Sequence, residues 1–477
     1  MNPSFLPYAA QLCALIPGDI YLVGGSIRDL LMRNADIKDI DLVMPSGAEL
    51  VSRAFADKIN GSFFFLDEVR KVTRVVKPVD DGILQFDFAN VEGPGIIADL
   101  GRRDFTMNAM AIDLRVFIAN GALDQLIDPF NGKSDVRDRT IRMVKPEVLD
   151  EDPLRLMRAV RFAATLGFAI EEETHTRIRQ CAASLARVSS ERVRDELFLI
   201  LAERNAEKHL GLLDSLGLLS PLLPELDALR GFAPGRYHVH DVLTHSLRTA
   251  GYLDHVLDDI PELSAPHAAQ VMAHLTENLE HLVSRKAALR FACLLHDIGK
   301  AATFSRDETG HLHFYGHDNL GALMAKETCK RFRLSRDTEM MVTRVIKHHM
   351  RLFNLSAPGG PSKNALYRYC RDLGDAVPES LLLAQADARA TSEIMPKEQF
   401  TDTRGPMTLV LDYYYGKYLK VKAKPLVTGE DLMKLGLKPG PRYREILDNI
   451  KELQAAGTLT DRQEALCKLN EMTLPLF

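Results

Sequence analysis

The 477-residue sequence predicts an α+β protein: a mixed strand-and-helix head, a helical neck, a helical histidine-rich domain and a small helical tail. Three observations predict it. Up to about Val144, short β-type runs alternate with turn residues and helical stretches. From Glu151 to Leu223 the apolar residues move to helical spacing and clear strands disappear. From His240 to about Ala390 the chain stays helical and carries most of its histidines. The expected boundaries are 1–145 for the head, 146–230 for the neck, 236–400 for the histidine-rich domain and 401–477 for the tail.

The N-terminal PSFLPYAAQLCALIPG lacks a basic start and is too short to span a bilayer, so it reads as an amphipathic helix. YLVGG, DIDLVM, SFFFLD, VTRVV, ILQFDFA and AMAIDL supply the strands of the head. In the neck, DPLRLMRAVRFAATLGF and SSERVRDELFLILAE carry the helical spacing, and GFAPGRYH suits a linker. GEDLMKLGLKPGPRYREILDNI in the tail reads as two helices broken by Pro439-Gly440-Pro441. Hydrophobic residues make up 46% of the chain, enough for each domain to build a core. The formal charge of −5 excludes a global polycation, so a nucleic-acid surface has to be local. Six scattered cysteines without a CxxC pair argue against a zinc ribbon or a disulfide scaffold. With no run of about 18 apolar residues, a cytoplasmic protein without membrane or obligatory protein partners is expected.

The chemistry starts at YLVGGSIRD and DIDL. Residues two apart on a strand share a face, so Asp39 and Asp41 project together. Two adjacent carboxylates repel each other unless a cation sits between them, and Mg²⁺ suits oxygen ligands. Gly24-Gly25 after a strand offers free N–H groups to a triphosphate, and the following helix adds its positive end. Arg28 is placed to bond phosphate oxygens. A surface turn beside a solvated strand face is the plain alternative. Asp87 is either a third nearby carboxylate or a strand-edge residue facing water.

GGSIRD followed by DID resembles the head of the class II tRNA nucleotidyltransferases and bacterial poly(A) polymerases, in the polymerase-beta-type nucleotidyltransferase superfamily. DLGRRDFTMNAMAIDL resembles the family's RRDFTxNAMA motif, DEDPLRLMRAVRFA its EDxxR motif, and SSERVRDEL its later neck helix. The motifs stand in family order over roughly the first half of the chain. The resemblance implies a polymerase-beta-type head with a mixed β-sheet. It also implies template-independent, metal-dependent transfer from CTP and ATP to the 3′ end of tRNA, in CCA-end synthesis or repair. Asp39 and Asp41 would then be the catalytic ligands of Mg²⁺. Arg102 and Arg103 would steady the nucleotide, and Asp104, with Asn108, would hold the sugar. Asp152 and Arg155 would read the base edge as a protein template, with Glu151 and Asp152 orienting the guanidinium and Asp152 capping the helix. Arg158 and Arg161 would continue a stripe towards phosphate. One departure stands out: FDFANVEGPGIIADLGRRDF carries a short Gly-Pro loop where complete CCA-adding members have a longer segment with a DHRRP-like stretch. The compact form resembles enzymes of split systems that add CC and A separately, so CC-only addition and poly(A) synthesis are the alternatives.

HVHDVLTHS, LLHDIGKA, GHDNLGA, IKHHM and QADARA form a second constellation, with ligand types spread over several helices. It resembles an HD-domain phosphohydrolase, with His245, His296, Asp297 and Asp387 as metal ligands. His317 and either His348 or His349 match the extra histidines of two-metal versions, and Lys300 could steady a phosphate. A Mn²⁺, Ni²⁺ or Mg²⁺ site hydrolysing phosphate esters is implied, and a chiefly hydrolytic protein is the alternative of another class. The plainer reading is an HD fold kept as a structural or RNA-binding module. Lys438, Arg442 and Arg444 in the tail, and Arg187, Arg192 and Arg194 in the neck, are the candidate RNA-backbone contacts.

Overall fold

The computed structural model describes residues 3–16, 18–33, 37–80, 82–120, 123–232, 240–356, 360–392 and 403–473. Two compact units emerge: Met1–Val188 with Leu216–Leu218, and Ser189–Ser215 with Leu219–Phe477. Residues 233–238 of the expected linker and the expected boundary near 400 lie outside the described residues.

The first unit is built on a six-stranded mixed sheet. Its strands are β1 (Tyr21–Val23), β2 (Asp39–Met44), β3 (Ser62–Asp67), β4 (Val72–Val79), β5 (Gly82–Asn90) and β6 (Ala111–Asp113). They lie in the order β3-β4-β5-β2-β1-β6, with β2 and β5 parallel and every other pair antiparallel. Alternation explains the two faces. Leu84, Phe86 and Phe88 of β5 are buried, while Gln85 and Asp87 point the other way. Helices α1 (Leu6–Leu15) and α2 (Gly25–Leu31), the latter directly after the glycines, form where the sequence reading expects helix, and α3 (Ala48–Ile59) adds a third. α3 buries Ala48, Ser52, Phe55, Ala56 and Ile59, one stripe at helical spacing. Its Phe55 ring meets Phe86 and Phe88 edge-on at 5.1 and 5.8 Å, so α3 closes the apolar face of the sheet. Asn60 in the left-handed region stops the helix.

The remainder of that unit is helical, led by Leu154–Leu166, with one addition: Ala169–Ile170 forms a two-residue parallel bridge with Thr140–Ile141. In the second unit, helices Val242–Asp258, Arg285–Leu295, Arg336–His348 and Val377–Ser392 pack as a bundle. Asp241, Ser284 and Ser335 each cap one of the first three through a side-chain oxygen. Val377–Ser392 is buried nearly all round and serves as the central helix. The tail helices Gly429–Lys434 and Pro441–Ala456 flank Pro439-Gly440, and Leu432, Ile446, Ile450 and Leu469 form their core. Among the described residues no helix is long and apolar enough to cross a membrane.

Candidate active sites

At the open face of the head sheet, β2 carries Asp39 and Asp41, and Asp87 on β5 stands in register with Asp41. β5 lies between β4 and β2, so Asp87 is central rather than at a strand edge. Arg74, opposite it on β4, binds it in a fork at 2.7 and 2.8 Å. Ser26 joins the glycine turn to this strand. Its hydroxyl donates to the Asp39 carbonyl at 3.0 Å and accepts from the Asp41 N–H at 2.9 Å. The serine directly after GG, in the first turn of α2, was the sequence signal for this link. Arg74 was signalled only by its place on the polar parity of VTRVV.

Gly24 has φ 67°, and a Cβ there would stand 2.9 Å from Arg103 Nη1 and 3.0 Å from Asp41 Oδ2. Only glycine fits between the guanidinium and the carboxylate. Burial pushes Asp41 up to about 6; Asp87 and Asp39 push the same way, against Arg103 and a Gly25 N–H. Asp39 is also raised, by burial first and by Asp87 and Asp29, against Arg74. Two of the three carboxylates are thus drawn towards the neutral form despite two nearby guanidiniums. A divalent cation on Asp39 and Asp41 fits that excess of negative charge.

The next residues form one network. Arg28 Nη1 donates to Asn108 Oδ1 at 2.9 Å, and Asn108 Nδ2 donates to Asp104 Oδ1 at 3.2 Å. Arg158 binds Asp104 Oδ2 through Nε at 2.8 Å and Nη2 at 2.7 Å. Burial pushes Asp104 up, but Arg158, with hydrogen bonds from Asn108 and the Phe105 N–H, holds it below the usual carboxylate range. The guanidiniums of Arg28, Arg158 and Arg161 lie 5.4, 5.3 and 4.2 Å from the centre of the Phe162 ring. Phe162 was read in the sequence only as part of a helical stripe. Arg103 pairs with Asp99 at 3.2 Å, and Arg102 with Glu92.

Arg155 is held chiefly by main chain: Nη1 donates to the Val148 carbonyl at 3.0 Å and Nη2 to the Arg102 carbonyl at 2.8 Å. Glu151 stands 3.9 Å away. The helix starts one residue later than expected, with Pro153 at the cap, while Asp152 Oδ1 accepts the Leu154 N–H at 3.2 Å. Arg194, expected in a basic stripe, is instead largely enclosed and binds Asp195 at 2.7 Å and the Arg333 carbonyl at 3.2 Å. Lys438, Arg442 and Arg444 are exposed.

In the second unit, His245 comes from helix Val242–Asp258, His317 begins helix His317–Arg331, and His296 and His349 end two others. Their ligand atoms gather into two groups that share Asp297: His245, His296 and Asp297, and Asp297, His317 and His349. Asp387 joins from Val377–Ser392, 3.1 Å from His245 Nε2 and 3.8 Å from His296 Nε2. Of the two adjacent histidines, His349 reaches the cluster.

The chemistry of these donors fits a metal. Nδ1 of His296, His317 and His349 bonds the carbonyl of Cys293, Phe314 and Ile346 at 2.8, 2.8 and 2.7 Å. A carbonyl only accepts, so each Nδ1 carries a proton, and Nε2 is the ring atom turned into the cluster, the one a metal would take. Nε2 of His317 and His349 face each other at 3.3 Å, and burial lowers His349 to about 4, keeping it neutral. His296 Nε2 and Asp297 Oδ1 are buried without a hydrogen-bond partner. Burial raises Asp297 and Asp387, but the neighbouring histidines, with Lys300 at Asp297, outweigh it and keep both ionised. Lys300 Nζ binds Asp297 Oδ2 at 2.5 Å.

Comparison with known proteins matches three stretches of the chain. Residues 20–142 match the poly A polymerase head domain, 167–230 the probable RNA and SrmB-binding site of polymerase A, and 242–391 the HD domain. The A-adding tRNA nucleotidyltransferase of Deinococcus radiodurans is 33% identical over 94% of this chain and 94% of its own. The CC-adding tRNA nucleotidyltransferase of Thermus thermophilus is 31% identical over 94% and 92%. Among solved structures, the CCA-adding enzyme of Bacillus stearothermophilus in complex with CTP shares the fold, with a TM-score of 0.63 at 24% identity, covering 100% of this chain and 99% of that one.

Proposed function

Because the chain belongs to the tRNA nucleotidyltransferase family, we propose that it transfers nucleotides from CTP or ATP to the 3′ end of tRNA, making or repairing the CCA end. The observation that carries this reading is the junction at Ser26, which fastens a side-chain-free turn to a strand bearing two carboxylates. Gly24 and Gly25 give a triphosphate close access to main-chain N–H groups, and Arg103 stands beside them for charge. Nucleotidyltransferases of this family use divalent metals; Asp39 and Asp41 would hold Mg²⁺, which would activate the 3′-hydroxyl and neutralise the departing pyrophosphate. Asp87, oriented by Arg74, would add negative potential on the side of the attacking hydroxyl. Asp104 and Asn108 would hold the sugar. Asp152 and Arg155, the latter fixed by two carbonyls, would present an acceptor and a donor to the base edge. Arg28, Arg102, Arg158 and Arg161 would complete the cationic pocket. The short loop after β5 and the two relatives named favour addition of CC or A over all three nucleotides.

Incubation with tRNA lacking its 3′ terminus, Mg²⁺ and single labelled nucleotides is expected to give incorporation, and product length then separates CC, A, CCA and poly(A). Asp39→Ala with Asp41→Ala is expected to lower the rate on the order of a thousandfold, the loss of several kcal/mol of charge stabilisation. Incorporation unchanged in that double variant would remove the reading.

The unpartnered His296 Nε2 and Asp297 Oδ1 favour a second activity, metal-dependent hydrolysis of phosphate esters at the HD site. Protein loaded with Mn²⁺ or Ni²⁺ is expected to cleave terminal or cyclic phosphates and to lose this with His296→Ala. Metal-loaded protein inert to both substrates would count against it.

A further inference from the structure

The open sheet face does not end at the carboxylates. Phe64 on β3 pairs with Arg74, Arg74 with Asp87, and Asp87 with Asp41, so these four residues form one row across the face. Ile83 and Val76 lie on the same parity, the first opposite Pro78 and the second opposite Gln85. Phe63 and Phe65 have the opposite parity and pack under the Arg53 guanidinium, 4.1 and 5.3 Å from its centre. Phe64, beyond the carboxylates, is 52% exposed, and Ile83, further along β5, is 49% exposed. The β3–β4 turn, at the Phe64 end of the sheet, carries Arg70 and Lys71, whose side chains are 72% and 63% exposed and stand 3.9 and 3.8 Å from Asp67 and Glu49.

Direction says what lies there. The glycine turn that would take the triphosphate is on the β1 side of Asp41, so the pyrophosphate leaves towards β1. Phosphoryl transfer keeps attacking and leaving oxygens roughly in line, so the attacking 3′-hydroxyl comes from the β5 side. The RNA behind it then crosses β4 and β3. From β2 to β3 is three strand spacings, about 14 Å, room for roughly four stacked bases. We infer that Phe64, with Val76 on the neighbouring strand, is the stacking platform for the unpaired 3′-terminal nucleotides of the acceptor RNA, and that Arg70 and Lys71 meet its phosphates. This rests on the nucleotidyl-transfer reading given above.

Phe64→Ala is expected to raise KM for tRNA lacking its 3′ terminus about tenfold, the loss of one base–aromatic stack. Its kcat should change less, and CTP or ATP binding measured without RNA should be unchanged. Phe64→Trp should restore the RNA KM, which separates stacking from general damage to β3. A photoreactive 4-thiouridine two or three nucleotides before the RNA 3′ end should cross-link to β3 or β4 with no nucleotide present. An RNA KM unchanged in Phe64→Ala, or a cross-link mapping elsewhere, would overturn the platform. So would sedimentation showing a wild-type dimer that Phe64→Ala dissociates, because the face would then belong to a second copy. The nucleotidyl-transfer reading fails separately, if the wild type extends no RNA with any nucleotide while the cross-link still forms.

Discussion

Asp104 is a buried carboxylate kept ionised by its neighbours, and its balance can be measured. Burial raises it, while Arg158, Asn108 and the Phe105 N–H hold it below the ordinary value of about 3.9. A lowered folded pKa gives stability that is fully present above the unfolded value and is lost as pH falls through the folded one. Thermal unfolding followed from about pH 7 to 3 should therefore show Asp104→Asn less stable than wild type above pH 4, with the gap closing below. Asp104→Ala is expected to cost about 2 kcal/mol, between surface and buried pairs, since Arg158 is about one-third exposed. A parallel pair of pH curves would refute this account. Ser26 makes a different point at the same scale: a neutral hydroxyl sets where two carboxylates point, by bonding the main chain on either side of Ile40.

Among elements, the approach of helix His317–Arg331 to the turn after Asp297 decides the HD cluster. A Cβ at Gly299 would lie 2.3 Å from the His317 carbonyl oxygen and 2.9 Å from the Gly321 nitrogen. Only a hydrogen side chain lets that helix bring His317 within reach of Asp297, now 3.7 Å apart. Mn²⁺ or Ni²⁺ is expected to raise the wild-type Tm, and Gly299→Ala is expected to push the helix away, lower bound metal by elemental analysis and abolish that rise. CTP binding at the head should persist. Full metal content in this variant would show that the close approach is not needed. The head sheet carries the same lesson in β-structure: Asp41 and Asp87 meet because β2 and β5 are parallel and in register, though 46 positions separate them in the chain.

For the whole molecule, charge is the quantity that matters. The net charge is −5, yet Arg28, Arg103, Arg158 and Arg161 cluster about one ring and one carboxylate pair. On the proposed function, RNA binding would rest on local cations and should be strongly salt-sensitive. An interface of about three phosphates should weaken roughly twentyfold between 50 and 200 mM salt, and a flat dependence would contradict a phosphate-led interface. The strands and the pairing of Asp39 with Asp41 were legible because they depend on a period of two residues, and the order of the motifs because it resembles that of the family. The mainly helical character of residues 240–390 was legible from its apolar spacing, but the short antiparallel strand pairs Asn278–Glu280 with Val283–Ser284 and Ser305–Arg306 with Leu312–His313 were not. Register and helix approach were not, since they are settled by contacts between distant segments. Tertiary packing alone made Asp87 a central strand residue bound to Arg74, and put Arg155 on two carbonyls. It also drew His349 rather than His348 into the cluster and enclosed Arg194. Local sequence states which side a residue faces, and only the folded chain determines what stands opposite it.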